Sequence, residues 1–346
     1  MFGIAIDQSS NIYTVGTNLT SVSQADWLIM KFNSTGGSIW NHSFNPGVID
    51  KAHAITIDSN SNLYSVGYQQ DGTDINIRVM KLNSNGVSIW NRTYNPGVGT
   101  ADIANATVLD SNGNLYIAST TAGVDWYVMK LDSSGLSIWN RTYNPGTLDT
   151  AGGMAIDKND NIYVVGTETA SGSNAQWRIM KIDSNGISIW NRTSNITVNA
   201  DTPYAAAIDN SNNLYVVGNE NSGLNAIWRI QKYDLTGKSL FNLTHNPLGA
   251  GLVDIARTLS IDSSNNLYVA GIQGNNDWRI AKFDKDGTNI WNITYNPTPT
   301  AADRAFGIVI DKSNDIYVTG NENLNLIRIS KLDNSLSYQS CGLLAA

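Results

Sequence analysis

Six asparagines each follow an aromatic residue and begin an Asn-x-Ser/Thr triplet, the acceptor sequence for N-linked glycans. The chemistry would be attachment of a sugar to the side-chain amide. The middle residue of the triplet varies among His, Arg, Leu and Ile, whereas the Asn and the Ser or Thr are kept in all six copies. Because only these two positions are required for glycan attachment, we expect glycosylation. The alternative is that the triplet is simply a favourable sequence for an edge strand, which duplication of the repeat has preserved without glycosylation. The six are Asn41, Asn91, Asn140, Asn191, Asn242 and Asn292. Weaker triplets, outside this position, begin at Asn18, Asn33, Asn105 and Asn195.

Seven aspartates could bind a cation, because each is followed four residues later by Asn, or by Asp in the last copy. A calcium loop needs several carboxylates at alternating positions, and most copies supply one. We therefore expect a turn in which the carboxylate accepts backbone N–H groups. The seven are Asp7, Asp58, Asp110, Asp157, Asp209, Asp262 and Asp311.

Side chains that could catalyse a reaction form no recognisable group. His42, His53 and His245 share no common position, and the sequence lacks metal-protease, nucleophile-elbow and phosphate-loop motifs. A few acids could form a glycosidase pair. These are Asp71, Asp74, Glu168, Glu220 and Glu322. We expect no catalytic residues, no cofactor and no metal, with a carbohydrate-cleaving site as an alternative.

All these residues belong to a sequence repeat with a step of 47 to 53 residues, counted between the seven aspartates. Tyr always lies six residues after the Asp, and a Lys follows in every copy. In six copies Trp or Phe lies nine residues after that Lys. The aromatic residues are Trp40, Trp90, Trp139, Trp190, Phe241 and Trp291.

Each repeat contains four short segments that alternate apolar and polar residues between turn signals, which indicates four strands. Seven such units predict an all-β fold, a seven-bladed β-propeller of four antiparallel strands per blade. We expect the strand that ends at Asp7 and its equivalents to be innermost. The predicted single domain has blades at about 1–48, 49–100, 101–147, 148–199, 200–252, 253–301 and 302–346.

The spacing within the repeat separates the two faces of the predicted disc. Asp-to-Tyr and Lys-to-Trp spacings are fixed, whereas the connections before the Lys and after the Trp vary in length. Because strands alternate in direction, both variable connections lie on one face. Length variation of this kind marks the face that is free to carry function.

The ten tryptophans fall into two repeat positions, one of them four residues before the Lys, which indicates packing between blades rather than ligand binding. This position holds Trp27, Trp126, Trp177, Trp228 and Trp278. We expect Trp139 to be a buried packing residue.

A second Asp lies eight residues before each of the last six repeat aspartates, and six carboxylates around a channel mouth would attract a cation. We favour a structural partner instead, either a Trp indole or one of Arg78, Arg178, Arg229, Arg279 and Arg328. The carboxylates are those of Asp50, Asp102, Asp149, Asp201, Asp254 and Asp303.

The segments "DWRIAKFDKDGTNIWNITYN" and "DRAFGIVIDKSNDIYVTG" resemble the repeats of bacterial and archaeal cell-surface β-propeller proteins. The resemblance implies the propeller fold over nearly the whole chain and says little about activity. The Asp-x-x-Gly-x-x-x-Trp part also resembles quinoprotein propellers, but most copies lack the Thr-Gly-Lys turn of that group. A quinoprotein-like dehydrogenase is therefore the third candidate.

The composition favours an extracellular protein that binds neither nucleic acid nor membrane. The net charge is −7, only 15% of residues are charged, and no apolar run could span a bilayer. The start "MFGIAID" predicts a strand rather than a signal peptide, so secretion would need a leader that is absent here. We expect a glycosylated structural or adhesive cell-surface protein, with a carbohydrate-binding or carbohydrate-cleaving propeller as the alternative.

The seventh repeat departs from the pattern, because it lacks the Trp and the glycosylation triplet. Its apolar tail would be free of sugars, and we expect it to contact a partner, most simply another copy of the chain in a filament or layer. The alternative is a frayed terminus. The candidate contact residues are Tyr338, Cys341, Leu343 and Leu344.

Overall fold

The computed structural model contains seven four-stranded antiparallel sheets, arranged as the blades of a β-propeller. In each blade the strands are paired in chain order. The predicted all-β propeller is therefore confirmed. The structure describes residues 2–21, 24–45, 47–97, 99–121, 125–144, 146–170, 174–194, 199–221, 225–246, 253–274, 277–296, 303–322, 326–332 and 338–345.

The first strands of neighbouring blades pack against one another around a central channel, as predicted for the strand that ends at the repeated Asp. Their residues are mostly small or β-branched, which suits the crowded axis. In blade order they are Gly3–Ile6, Asp50–Ile57, Ile103–Leu109, Thr150–Ile156, Thr202–Ile208, Ile255–Ile261 and Arg304–Ile310.

The second and third strands form the middle of each blade and are its most buried part. The second strands are Ile12–Ser21, Leu63–Asp71, Leu115–Thr121, Ile162–Glu168, Leu214–Asn221, Leu267–Gln273 and Ile316–Glu322. The third strands are Gln24–Phe32, Asp74–Leu82, Asp125–Leu131, Gln176–Ile182, Ala226–Tyr233, Asp277–Phe283 and Leu326–Leu332.

The fourth strands form the outer rim, and in blades 1 to 6 they carry the residues of the glycosylation triplets. They are Ser38–Phe44, Ser88–Tyr94, Ser137–Tyr143, Ser188–Ser194, Ser239–His245, Asn289–Tyr295 and Tyr338–Ala345. The C-terminal segment of blade 7 is a strand paired with Leu326–Leu332. The alternative of a frayed end was therefore wrong for Tyr338–Ala345, and the contact with a partner stays a prediction.

The turn after each first strand is closed by the repeated Asp. Asp7 Oδ1 accepts the backbone N–H groups of Ser9 and Asn11, both at 2.9 Å. Its Oδ2 accepts Asn11 Nδ2 at 2.8 Å and the Tyr13 hydroxyl at 3.1 Å. These hydrogen bonds hold the pKa of Asp7 below its ordinary value although burial acts in the opposite direction. The predicted turn is confirmed by this geometry.

Where the structure describes the turn between the third and fourth strands, that turn joins its blade to the preceding one; residues 333–337 of blade 7 lie outside the described residues. Ser184 O of blade 4 accepts Trp139 Nε1 at 3.0 Å and Lys130 Nζ at 3.4 Å, both from blade 3. The left-handed residue of this turn is a glycine, Gly186 (φ 78°), and a Cβ there would lie 3.1 Å from the Trp139 ring. Glycine is therefore required for the turn and for the packing.

The ring closes through the same contact. Ser34 O of blade 1 accepts the Tyr317 hydroxyl at 3.0 Å and Lys331 Nζ at 3.4 Å, both from blade 7. No strand is exchanged between the first and last blades, since each described sheet is built from four consecutive strands. Closure therefore rests on side-chain contacts and on packing of the first strands.

Both tryptophan positions lie between blades, as predicted, but their burial differs. Trp177 is fully buried, and its Nε1 donates to Asn219 O of the next blade at 3.2 Å. Trp139 is partly buried and packs against the hydrophobic core, and it is less buried than expected because it lies on the outermost strand.

We predict that Trp177→Ala lowers the free energy of unfolding by about 3–5 kcal/mol, as for other buried aromatic residues. Trp139→Ala should cost less, roughly 2 kcal/mol, because less apolar area is buried. Urea unfolding measures both. Ile189→Ala is the control, since Ile189 is 50% exposed on the rim and its change should stay within about 0.5 kcal/mol. If Trp139→Ala behaves like the control, the outer tryptophans do not stabilise the ring.

Candidate functional site

The first strands contain a β-bulge that was not predicted. In blades 2 to 7 the pairing of the first and second strands shifts by one residue, for example between Ala52 and Ala54. A bulged residue is left out of the ladder, and bulges often redirect a side chain near a functional site. The bulged residues are His53, Asn105, Gly152, Tyr204, Arg257 and Phe306, and Phe2 takes the equivalent position before the first strand of blade 1.

These seven residues line the mouth of the central channel, on the side of the variable connections, and the channel cavity of about 580 Å³ continues along the first strands to Ile208 and Ile261. We call the seven residues the mouth ring. Four successive contacts join five of its side chains into a continuous arc. Phe2 lies 5.6 Å from both His53 and Phe306, measured between ring centroids. The Arg257 guanidinium lies 5.7 Å from the Phe306 ring and 4.8 Å from the Tyr204 ring.

The remaining two members of the mouth ring leave the arc open. Gly152 has no side chain, and Asn105 is held back by hydrogen bonds from its Nδ2 to Ala151 O at 2.9 Å and Thr120 Oγ1 at 3.2 Å. A side cavity of about 350 Å³ opens here, and Thr150, Thr167 and Thr202 contribute to its wall. The mouth is therefore asymmetric although the scaffold repeats seven times.

His53 is a neutral member of the mouth ring. Its Nδ1 lies 3.0 Å from Ala104 O, and because a carbonyl only accepts, Nδ1 carries the proton. Burial lowers the pKa of His53 to about 4. The other two histidines lie on fourth strands at the rim, where His42 stacks on Trp40 at 4.9 Å and His245 contacts Trp228 at 5.8 Å.

Three of the second aspartates accept hydrogen bonds from backbone groups rather than from the expected Arg or Trp indole. Asp149 is almost fully buried and accepts Gly146 N at 2.6 Å and Thr169 N at 3.0 Å. Asp50 and Asp254 likewise accept backbone N–H groups of the hairpin between the second and third strands. The pKa values of these three carboxyls are raised, chiefly by burial.

The arginines of the third strands have other partners. Arg178 Nη1 lies 2.7 Å from Glu168 Oε2, and Arg229 Nη1 lies 2.7 Å from Glu220 Oε2. Two of the acids considered for glycoside hydrolysis are therefore held in ion pairs within their own blades. Asp71 and Asp74 flank a hairpin turn, and Glu322 ends the second strand of blade 7.

The six asparagines of the common triplet position are all exposed on fourth strands. The weaker candidates have structural contacts: Asn18 Nδ2 donates to Ser43 Oγ at 3.1 Å, and Asn33 Oδ1 accepts Gly37 N at 2.7 Å within a turn. Asn105 belongs to the mouth ring, and Asn195 lies outside the described residues.

A sequence signal for the mouth ring exists. The position five residues before the repeated Asp holds Phe, His, Asn, Gly, Tyr, Arg and Phe, whereas the preceding position is Ala in five of seven copies. Variation at one position of an otherwise repeated strand marks the place where the symmetry is broken. The bulge that gathers these residues has no sequence motif of its own.

The fold is shared with many solved structures, although no protein-family model and no curated protein sequence matches the chain. The BP39L lectin from Burkholderia pseudomallei aligns with a TM-score of 0.70 at 12% identity, over 99% of this chain and 98% of the lectin. Puromycin hydrolase, in an S511A mutant, aligns with a TM-score of 0.65 at 12% identity, over 100% of this chain and 53% of the hydrolase.

A protein of unknown function from Bacteroides caccae aligns with a TM-score of 0.53 at 12% identity, over 82% of this chain and 94% of that protein. Identities this low establish the fold alone. The chain is a seven-bladed β-propeller, in keeping with the resemblance in its repeats. Within its described residues, no helix is long and apolar enough to cross a membrane.

We predict that the His53 ring does not titrate between pH 8 and pH 5, because its pKa is about 4. Since the unfolded-state pKa is near 6.5, His53 should reduce the free energy of unfolding as the pH falls from about 6.5 toward 4. Ring ¹⁵N chemical shifts, assigned with His53→Gln, measure the titration. A midpoint near pH 6.5 would contradict the buried, neutral imidazole.

Proposed function

We propose that this protein is a non-enzymatic binding propeller that holds a small ligand in the mouth ring. The observation that carries the proposal is the convergence of five aromatic or cationic side chains on one cavity, at a position where the first strands of six blades share a bulge. The cavity volumes, about 580 and 350 Å³, fall in the range of ligand pockets, roughly 300–1,000 Å³.

The side chains of the mouth ring suit binding better than catalysis. The described residues that line the larger cavity include no Asp or Glu, so a pair of carboxylates is unavailable there. The Nδ1 of His53 is engaged with a backbone carbonyl. Aromatic faces, an amide and a guanidinium remain, and such groups bind and orient a ligand. A lectin has the same fold, which makes a carbohydrate ligand compatible with this architecture.

A second proposal concerns the rim, where six glycosylation triplets occupy the same exposed position. Arg78 Nη2 donates to Asn91 Oδ1 at 2.7 Å, so this contact uses the oxygen and not the nitrogen that would carry a glycan. Sugars on the fourth strands would also prevent the strand edges from pairing with other chains. We propose on this basis that the protein is an extracellular glycoprotein.

The mouth is tested by a ligand-observed NMR screen of monosaccharides, amino acids and small carboxylic acids. We expect ligands of the native protein to bind roughly tenfold more weakly, about 1.4 kcal/mol, to the double variant Tyr204→Ala, Phe306→Ala. The control is Tyr143→Ala, which removes a rim ring whose hydroxyl donates to Gly186 O at 2.7 Å. Equal binding to the double variant and the native protein would refute the mouth as the ligand site.

Glycosylation is tested by glycopeptide mass spectrometry of protein from its native source. We expect sugars on the six rim asparagines, because their side chains are exposed. Asn105 is the internal control, since it begins the same triplet but its Nδ2 is hydrogen bonded in the mouth ring. Unmodified rim peptides would end the glycoprotein proposal, and a sugar on Asn105 would contradict its described position.

A further inference from the structure

Arg257 is a cation whose surroundings lack a counter-charge. Its guanidinium lies between the rings of Tyr204 and Phe306, and its Nε is buried without a hydrogen-bond partner. Among the described residues no carboxylate forms an ion pair with it. Burial, together with the positive charge of Arg304, lowers the pKa of Arg257.

The other arginines of the blades show what Arg257 lacks. Arg178 and Arg229 each bond a glutamate, and Arg78 Nη1 donates to Gln69 Oε1 at 3.0 Å. A half-buried cation without a partner is costly because it has lost part of its hydration. The two flanking rings compensate in part through cation–π attraction, but they accept no hydrogen bond from the in-plane N–H groups, and Arg257 Nε has no partner. A ligand anion would satisfy these donors.

Two further cations lie beside the mouth ring although the whole chain carries −7. Arg304 and Lys51 occupy equivalent positions, seven residues before the repeated Asp, and lie close enough to act on Arg257 and His53 respectively. The neighbouring Asp50 carboxylate accepts Gly47 N and Gln70 N. This acid next to the mouth is thus hydrogen bonded to the backbone.

The side cavity next to Gly152 adds polar and aromatic groups to the site. Thr150, Thr167 and Thr202 present hydroxyls, and Thr150 Oγ1 lies 2.6 Å from Thr167 Oγ1. Phe2 lines both this cavity and the larger one. A pyranose ring has an apolar face that packs on an aromatic ring and hydroxyls that hydrogen bond to such groups. The site therefore combines the elements that would recognise a sugar with those that would recognise an anion.

We propose that the mouth ring binds a sugar that carries a carboxylate, a hexuronate, with its carboxylate on Arg257 and its hydroxyls toward the side cavity. This inference rests on the proposed binding function and adds the class of ligand. A guanidinium matches a carboxylate through two parallel N–H···O bonds, a geometry that a lysine cannot reproduce.

The test is isothermal titration of glucuronate, glucose and acetate into the native protein and into Arg257→Met. We expect glucuronate to bind the native protein and to bind Arg257→Met at least roughly tenfold more weakly. Glucose and acetate should each bind the native protein more weakly than glucuronate. The matched control is Arg192→Met, which removes a cation–π contact of the same kind on the rim, 5.4 Å from the Trp190 ring.

Two further variants guard against a folding defect at Arg257. Arg257→Lys keeps the charge but not the paired donors and should bind glucuronate with intermediate affinity. Thr202→Val removes a hydroxyl of the side cavity. It should weaken the binding of glucuronate and leave the binding of acetate unchanged. Circular dichroism and thermal melting confirm that each variant is folded.

Several results would overturn the inference. Equal affinity for glucose and glucuronate, or full affinity in Arg257→Met, would show that the anion is not recognised. If the double variant Tyr204→Ala, Phe306→Ala nevertheless loses that binding, the mouth remains a ligand site and only the ligand class is wrong. If acetate bound as tightly as glucuronate, recognition of the sugar ring would be excluded. Absence of glucuronate binding to the folded native protein at millimolar concentration would refute the hexuronate outright.

Discussion

At the blade boundaries whose connecting turn the structure describes, one backbone carbonyl is the contact on which the ring depends. Between blades 3 and 4 this is Ser184 O, which accepts both Lys130 Nζ and Trp139 Nε1. The same ammonium lies 3.2 Å from Asp110 Oδ2, and Asp110 closes the first turn of its own blade. One cation thus joins two turns of different blades. A buried ammonium without partners would cost several kcal/mol, so Lys130 favours the arrangement in which both turns reach it. The contact therefore also fixes how the two blades are oriented.

This contact divides the molecule into a supporting face and a free face. The repeated Asp, Tyr, Lys and outer Trp all converge near the fixed turns, so that face is committed to holding neighbouring blades together. The bulges lie toward the other end of the first strands, where the connections vary in length. A residue there can change without breaking a blade boundary. This is the physical reason that unlike side chains gather at the channel mouth.

Much of the scaffold was predictable because its causes are local. Alternating apolar residues specify strands, Asp with Asn four residues later specifies a turn, and a fixed spacing of Lys and Trp specifies a repeated contact. Predictions that needed the neighbouring blade were less successful. Asp149 was expected to meet an Arg or an indole, but it accepts the backbone N–H groups of Gly146, in the preceding connection, and Thr169, in the hairpin. Trp139 was expected to be buried, but its place on the outermost strand leaves it only partly buried.

The sequence by itself determined the number of blades, the order of strands and the position of the turns, since each follows from residue types repeated at short range. The sequence also contained the variable position five residues before each repeated Asp, but it did not show that this position lines a cavity. Only the tertiary structure decided that these positions share a cavity, because His53 and Arg257 are distant in the chain and meet only when seven blades close around one axis. The same closure leaves Arg257 between two rings without a counter-charge. The missing counter-charge is a result of how the blades pack, and no local pattern in the chain encodes it.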